Sequence, residues 1–381
     1  MTQPIGIALL GAGFIAEYHL GGIAAAVALP GAPRAEVRAL VGRSRQRVTP
    51  LAARFGVSEV LTDWRDALAR DDIDAVVICT PDDTHETIAI AAVEAGKAVL
   101  LQTPMAGSVL ACHRIIDAAR RRGVDLQVSF MHRYFAEVIE AKRLIAGGAI
   151  GRVHSASIRN ATPGPDWAEW FFAKENVTGG VVDQLGVHGI DLALQLLGDI
   201  VEVSARTETL MPTRTLRDGR IVPVEVADTA YATYRFDDGA MVAHQMSMIE
   251  AGGCDRFRFE IYGTEGTIWL RSERGRLAVY APKRYGDAWH CPTLDEAAFG
   301  AQHHRTWLEG VAGVAPRLAT AQDALRGMQV VEAIRRSNAA YGGAVEVEAS
   351  RSMADGPYRR QDCSIHVAES VVCGAARGRG L

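Results

Sequence analysis

Apolar residues recur in two rhythms along this chain, and the change of rhythm near residue 150 marks its organisation. In the first part, short β-branched runs at 5–10 (IGIALL), 37–41, 75–79, 98–101 and 126–130 read as buried parallel strands. Between them, residues 14–28, 44–55, 84–96 and 108–122 place apolar positions at three-and-four spacing, the period of a helix with one buried face. Strand–helix alternation of this kind predicts an α/β fold with a doubly wound parallel sheet over residues 1–130. Residues 132–147 read as a connecting helix closed by Gly147-Gly148. Beyond residue 150 one helix, about 180–197, precedes alternating strands at 200–208, 226–236, 239–249, 255–262, 266–271 and 276–280. Turns such as DDG (237–239) and GTEG (263–266) are too short for crossovers, so the second sheet is predicted to be open and largely antiparallel. Helices at about 301–313 and 320–340 complete an α+β domain over 131–348, assigned to substrate binding and oligomerisation. Residues 349–381 are polar and are expected to form an irregular tail.

Composition narrows the function classes. The 381 residues suffice for two domains. A formal net charge of −4 gives no electrostatic footprint for nucleic acid. No apolar run approaches the roughly 18–20 residues of a membrane span. The first apolar run follows no basic stretch and enters a glycine turn directly, which fits a core strand and a cytoplasmic protein. Cys79, Cys112, Cys254, Cys291, Cys363 and Cys373 are all more than three residues apart, so no zinc-ribbon or CxxC spacing exists. His303-His304 has no carboxylate or cysteine at ligand spacing, and no metal is expected. Of 41 basic residues only Lys97, Lys142, Lys174 and Lys283 are lysines.

The chemistry begins at GAGFIA (11–16), which follows the first strand and opens a helix. In a Rossmann unit this pattern binds a dinucleotide. Gly11 permits the tight turn, Gly13 admits a pyrophosphate to the backbone, and Ala16 allows helix and strand to pack closely. Phe14 and Ile15 complete the expected cofactor turn. An NAD site normally ends the second strand with an acid for the ribose 2′-OH. VGRSRQR (41–47) has none, and Arg43, Ser44 and Arg45 are suited to a 2′-phosphate. NADP is therefore the expected cofactor, with NAD possible; the bland alternative is that these residues only begin a helix.

With these features in place the chain resembles the Gfo/Idh/MocA oxidoreductases, the glucose-fructose oxidoreductase and inositol dehydrogenase group. The resemblance runs through GAGFIAEYH (11–19), VVICTPDDTHETIAIAAVEAGKAVLLQTPMA (76–106), FMHRYFAEVIEAKRLIAGGAIGRV (130–153), TGGVVDQLGVHGIDLALQLLG (178–198) and RFEIYGTEGTIWL (258–270). It implies a nucleotide-dependent enzyme acting on sugars, cyclitols or related polyols, with Thr80, Pro81, His85 and Gln102 against the cofactor. Two positions depart from the family pattern. Thr103 stands where most members have a lysine beside the reacting carbinol. Gln184 stands four residues before His188, where the family has an Asp; the nearest acid, Asp183, is one position out of register, to be recovered only by a local bulge. His188 is the expected proton acid/base, with Thr103, Asp183 and Gln184 around it. His132, Arg133, Trp167 and Asp191 are candidate substrate contacts. His132 and Lys174 are possible stand-ins for the lysine. Trp170, like Trp167, would either stack on a sugar or anchor its loop.

Three readings follow. The first is a dehydrogenase or ketoreductase moving a hydride between NADP(H) and a ring carbon, with His188 moving the proton. The second is a non-redox enzyme that oxidises its substrate transiently with a held nucleotide, giving elimination or glycoside cleavage. The third is an inactive nucleotide-binding protein, or a lysine-to-threonine variant at 103. Partners are a small polyol or sugar and further copies of the chain as a dimer or tetramer, because an open sheet must cover its second face.

Overall fold

The computed structural model describes residues 3–177, 179–252, 255–271, 275–294, 298–314 and 320–348. The expected tail at 349–381 lies outside the described residues, as do Cys254, Cys363 and Cys373.

The first sheet has strands β1 (Ile5–Leu10), β2 (Ala35–Val41), β3 (Glu59–Leu61), β4 (Ala75–Ile78), β5 (Ala98–Leu101) and β6 (Leu126–Val128), all parallel in the order β3-β2-β1-β4-β5-β6. The order reverses between β1 and β4, where ligands enter such sheets. Sequence reading had missed β3: three half-buried residues carry too little pattern to register. Successive side chains serve opposite faces. Ile7 and Leu9 of β1, with Leu40, Val77 and Leu100, pack under helix α1 (Phe14–Val27) and the helix Ala301–Val311, which brings Trp307 and Leu308. Ala8 and Leu10, with Val76, Ile78 and Leu101, face a core shared with the second sheet and the helix Thr320–Ala339. Local signals set the helix ends. In Val109–Arg122 the Ser108 hydroxyl accepts from the Ala111 N–H at 3.2 Å, and Gly123 closes it at φ +65°.

The second sheet has nine strands among the described residues: Trp289–His290, Leu277–Tyr280, Gly266–Arg271, Phe257–Gly263, Val153–Ala161, Met241–Ser247, Thr229–Phe236, Ile200–Glu208 and Val345–Glu346, in that order across it. Seven of its eight junctions are antiparallel, and Val153–Ala161 with Met241–Ser247 is the parallel one. Val153–Ala161, absent from the strands read in the sequence, lies inside this sheet. Its inward positions include Asn160, a polar residue at a core site, whose amide oxygen lies 2.8 Å from His244 Nε2 while His244 Nδ1 lies 2.9 Å from the Tyr234 hydroxyl. A pattern search rejects such a strand; paired hydrogen bonds make it tolerable.

Two helices begin differently from the sequence expectation. The segment 132–147 is a 3₁₀ turn, Met131–Tyr134, then an α-helix, Ala136–Ala146, with extended backbone at Phe135 between them. The segment 180–197 opens with a π-turn, Val182–Gly186, and continues as the α-helix Val187–Leu197. Among the described residues no helix is long and apolar enough to cross a membrane.

Candidate active site

Gly11 ends β1 at φ +107°, and a Cβ there would lie 2.5 Å from the Cys79 carbonyl oxygen at the end of β4. Only glycine permits both that dihedral and that approach. Gly13 caps α1 without a side chain, and nothing stands within 4 Å of where its Cβ would be. No side chain caps the start of α1 and the space beside Gly13 is open among the described residues, the arrangement that receives a pyrophosphate. Ala16 is fully buried, so α1 lies close over the sheet. A dinucleotide fits these residues. Phe14 is 72% exposed, and its ring lies 5.3 Å from that of Trp167, which meets Phe171 edge-on at 5.8 Å. The aromatic loop therefore touches the first turn of α1. Arg43 and Ser44 are exposed after β2, and Ser44 begins the helix Arg45–Arg54 with no side-chain cap bond.

His85 holds the ends of β4 and β5 together. Its ring nitrogens lie 2.8 Å from the Pro104 carbonyl and 2.9 Å from the Thr80 carbonyl, and burial lowers its pKa below the ordinary histidine value. The Thr84 hydroxyl, 2.6 Å from that of Thr80, donates to the Pro81 carbonyl at 2.7 Å. Thr103, joined to Pro104 by a cis peptide, is buried beside this corner.

His188 lies in the first turn of its helix with Nε2 3.5 Å from Thr103 Oγ1. Among the described residues its buried Nδ1 has no hydrogen-bond partner, and the ring of His132 is 4.6 Å away with its own Nδ1 also unpartnered among them. Burial pushes His188 down to about 4 and, with His188 itself, holds His132 well below the usual range. Both imidazoles are neutral bases at neutral pH. The π-turn does supply an extra residue just ahead of His188, but Asp183 turns elsewhere: its Oδ1 pairs with Arg335 at 2.5 Å. No carboxylate among the described residues bonds His188. Gln184 donates its amide N–H to Asp82, whose carboxyl burial and the neighbouring Asp183 push up to about 8.

Arg133 and Asp191 form a forked ion pair, with Arg133 Nε 2.8 Å from one Asp191 oxygen and a terminal nitrogen on the other. The remaining terminal nitrogen reaches Asp323 at 2.8 Å, and the guanidinium lies 4.6 Å over the Phe130 ring. Both candidates are thus spent on each other rather than presented free. Lys174 is exposed, and Trp170 stacks on Phe171 at 3.8 Å, in the aromatic loop rather than beside His188. Among the described residues no cluster of three His, Cys, Asp or Glu side chains is placed to hold a metal ion.

Sequence reading overlooked Asp82, Arg335, Asp323 and His19. Asp82 carried a signal, an acid directly after Thr80-Pro81 at the carboxyl edge of the sheet. Arg335 and Asp323 carried none, because on a long amphipathic helix they read as solvated charges. His19 stood inside a quoted motif, but its partners, Gln102 and His304, are 83 and 285 residues away.

Residues 5–130 match the oxidoreductase family with an NAD-binding Rossmann fold, and residues 138–269 match the GFO/IDH/MocA C-terminal domain. The chain is 31% identical to levoglucosan dehydrogenase of Pseudarthrobacter phenanthrenivorans, over 71% of this chain and 75% of that protein. It is 32% identical to inositol 2-dehydrogenase 2 of Saccharopolyspora erythraea, over 71% and 74%. The solved structure of levoglucosan dehydrogenase in complex with NADH superposes with a TM-score of 0.83 at 26% identity, covering 91% of this chain and all of that one. With its dinucleotide turn, two-sheet architecture and these relatives, the chain belongs to the GFO/IDH/MocA family of NAD-binding oxidoreductases.

Proposed function

We propose that the chain is a dehydrogenase acting on a ring carbinol of a sugar, cyclitol or related polyol, with His188 moving the carbinol proton. One observation carries this reading: a neutral imidazole beside Thr103, at the carboxyl edge of the sheet where the dinucleotide turn opens. A nicotinamide, when bound, supplies the hydride acceptor or donor. Gly11, Gly13 and the α1 N-terminus would hold its pyrophosphate. The Nε2 of His188 is the atom offered to the carbinol proton, and the Thr103 hydroxyl beside it orients the ring. His132, at 4.6 Å, is a second neutral base that receives or returns the proton. Thr103 brings no positive charge to a developing alkoxide, an effect typically worth a few kcal/mol. The chain is therefore expected to lean on neutral donors and on substrate positioning.

The end of β2 supports a preference for NADP: Arg43 and Ser44 are exposed there and no acid is present. The contact between Phe14 and Trp167 favours a second reading, in which the nucleotide is retained through each cycle and oxidation is transient. Nicotinamide absorbance followed with NADP⁺ and NAD⁺ over sugars and cyclitols, for this protein and for Thr103→Lys, separates these. The dehydrogenase reading expects net reduction of added nucleotide by the unmodified protein, faster with NADP⁺. Nucleotide that copurifies, with substrate consumed and no net reduction, supports the retained-cofactor reading. Turnover by neither protein, despite normal nucleotide binding, would favour a non-catalytic role.

The sheet face away from the helices exposes Tyr231 (57%) and Met241 (66%) on neighbouring strands. Self-association as a dimer or tetramer through this face is the expected way to cover it. Light scattering should give a multiple of the chain mass, and Tyr231→Glu with Met241→Glu should reduce it to one. A monomer in the unmodified protein would end this proposal.

A further inference from the structure

Behind Gln102, a line of buried groups joins the dinucleotide-binding helix to the C-terminal part of the chain. The Gly300 carbonyl lies 2.8 Å from His304 Nδ1, His304 Nε2 lies 2.9 Å from His19 Nδ1, and His19 Nε2 lies 3.2 Å from the Gln102 amide at the position assigned to Oε1. His19 and His304 have no exposed surface, whereas Gln102 is half-buried at the carboxyl end of β5, next to Thr103. Room for the line is built in. A Cβ on Gly22 of α1 would lie 2.2 Å from His304 Nδ1, so a side chain there would push the imidazole out of place.

The direction of the hydrogen bonds follows from valence alone. A carbonyl only accepts, so His304 carries its proton on Nδ1 and presents a lone pair at Nε2. That lone pair must be met by an N–H from His19 Nδ1, which leaves His19 Nε2 as a second lone pair. The group facing it must donate. In an amide the oxygen and the NH₂ occupy equivalent positions, and the network decides which is which. We infer that the Gly300–His304–His19 line is a positioning relay for Gln102: it takes the Gln102 NH₂ and turns the Gln102 carbonyl away from His19, toward the cleft beside Thr103, as an acceptor for a hydrogen-bond donor on the nicotinamide half of the bound nucleotide. His19 and His304 act through Gln102 and touch neither substrate nor cofactor. The relay rests on the nucleotide reading of this site and adds to it the group that recognises the nicotinamide end.

Burial supports the arrangement. It pushes His304 down to about 4 and holds His19 well below the histidine range, so neither takes the second proton that would let the Gln102 carbonyl face His19. The flanking groups are Tyr18, whose hydroxyl lies 2.9 Å from His303 Nδ1, and His303 itself, also held well below the usual range by burial and by its histidine neighbours. No carboxylate bonds any of them among the described residues.

Two measurements on the full chain test the relay. Long-range proton–nitrogen NMR on protein carrying nitrogen-15 histidine should show His19 and His304 neutral and protonated at Nδ1. An Nε2–H tautomer at either one overturns the relay. Binding of NADH and NADPH is then followed by nicotinamide fluorescence in Gln102→Met, which keeps the length and removes both the NH₂ and the carbonyl. About tenfold weaker binding is expected, the scale of one lost hydrogen bond to the nucleotide. Unchanged affinity would sink the proposal. Should the unmodified protein bind neither NADH nor NADPH while both tautomers are as expected, the nucleotide reading itself is wrong, and with it the role of the Gln102 carbonyl.

Discussion

In His188→Gln, kcat is expected to fall by about 10²–10⁴-fold, the usual contribution of a positioned acid/base, while NADH binding stays close to that of the unmodified protein. Glutamine keeps a polar group near Thr103 Oγ1 and cannot hold a proton reversibly. The pH dependence gives a second, sharper check. Burial pushes His188 down to about 4, so its base form is fully populated well below pH 6.5. The acid limb of kcat/KM in the oxidation direction should therefore fall near pH 4, with no inflection at the ordinary histidine value. As pH drops through the folded-state value, the ring takes up a proton and the base is lost. A limb near pH 6.5 that survives in His188→Gln would move the proton chemistry to another group, with His132 the first to examine. An unaltered kcat in the variant would remove His188 from the mechanism.

Asp191→Ala is expected to cost about 3–5 kcal/mol of stability, the scale for breaking a buried ion pair from one side. Asp191 is 2% exposed and accepts two hydrogen bonds from the Arg133 guanidinium, which Asp323 alone would be left to balance. Arg133 stands between His132 and the connecting helix and packs over Phe130, so the damage should reach the site and lower kcat as well. Urea unfolding monitored by tryptophan fluorescence measures the first effect. The double variant Arg133→Met with Asp191→Leu should recover much of the loss, because it removes both charges at once. A single-variant cost below about 1 kcal/mol, within the range of an exposed pair, would mean that the pair is not the buried clamp described here.

Residues that act through short-range geometry were legible from their order in the chain. IGIALLGAG announces a strand and a tight glycine turn, and both appear, with Gly11 at φ +107° and α1 beginning at Phe14. The departures at Thr103 and Gln184 were visible too, through the resemblance to the family pattern, against which a missing charge needs no fold to be noticed. The two ways of explaining Gln184 were left open in the sequence, and the structure distinguishes them. The bulge exists, yet Asp183 is drawn to Arg335, because a buried carboxylate pairs with the nearest guanidinium, here 152 residues away.

What the sequence determined by itself was the alternation that builds the first sheet and the glycine turn that follows its first strand. Each depends on neighbours within one or two helical turns, where periodicity acts directly; the candidate proton-handling side chains came from the family resemblance. Tertiary structure alone decided which strand fills the interior of the second sheet, where Asn160 is made acceptable by His244. It alone decided that Arg133 and Asp191 satisfy each other, and that His19, His304 and Gln102 stand in one line. Burial is the physical reason. A polar group removed from water must find a partner wherever the fold provides one, and that partner's distance along the chain leaves no trace in local pattern.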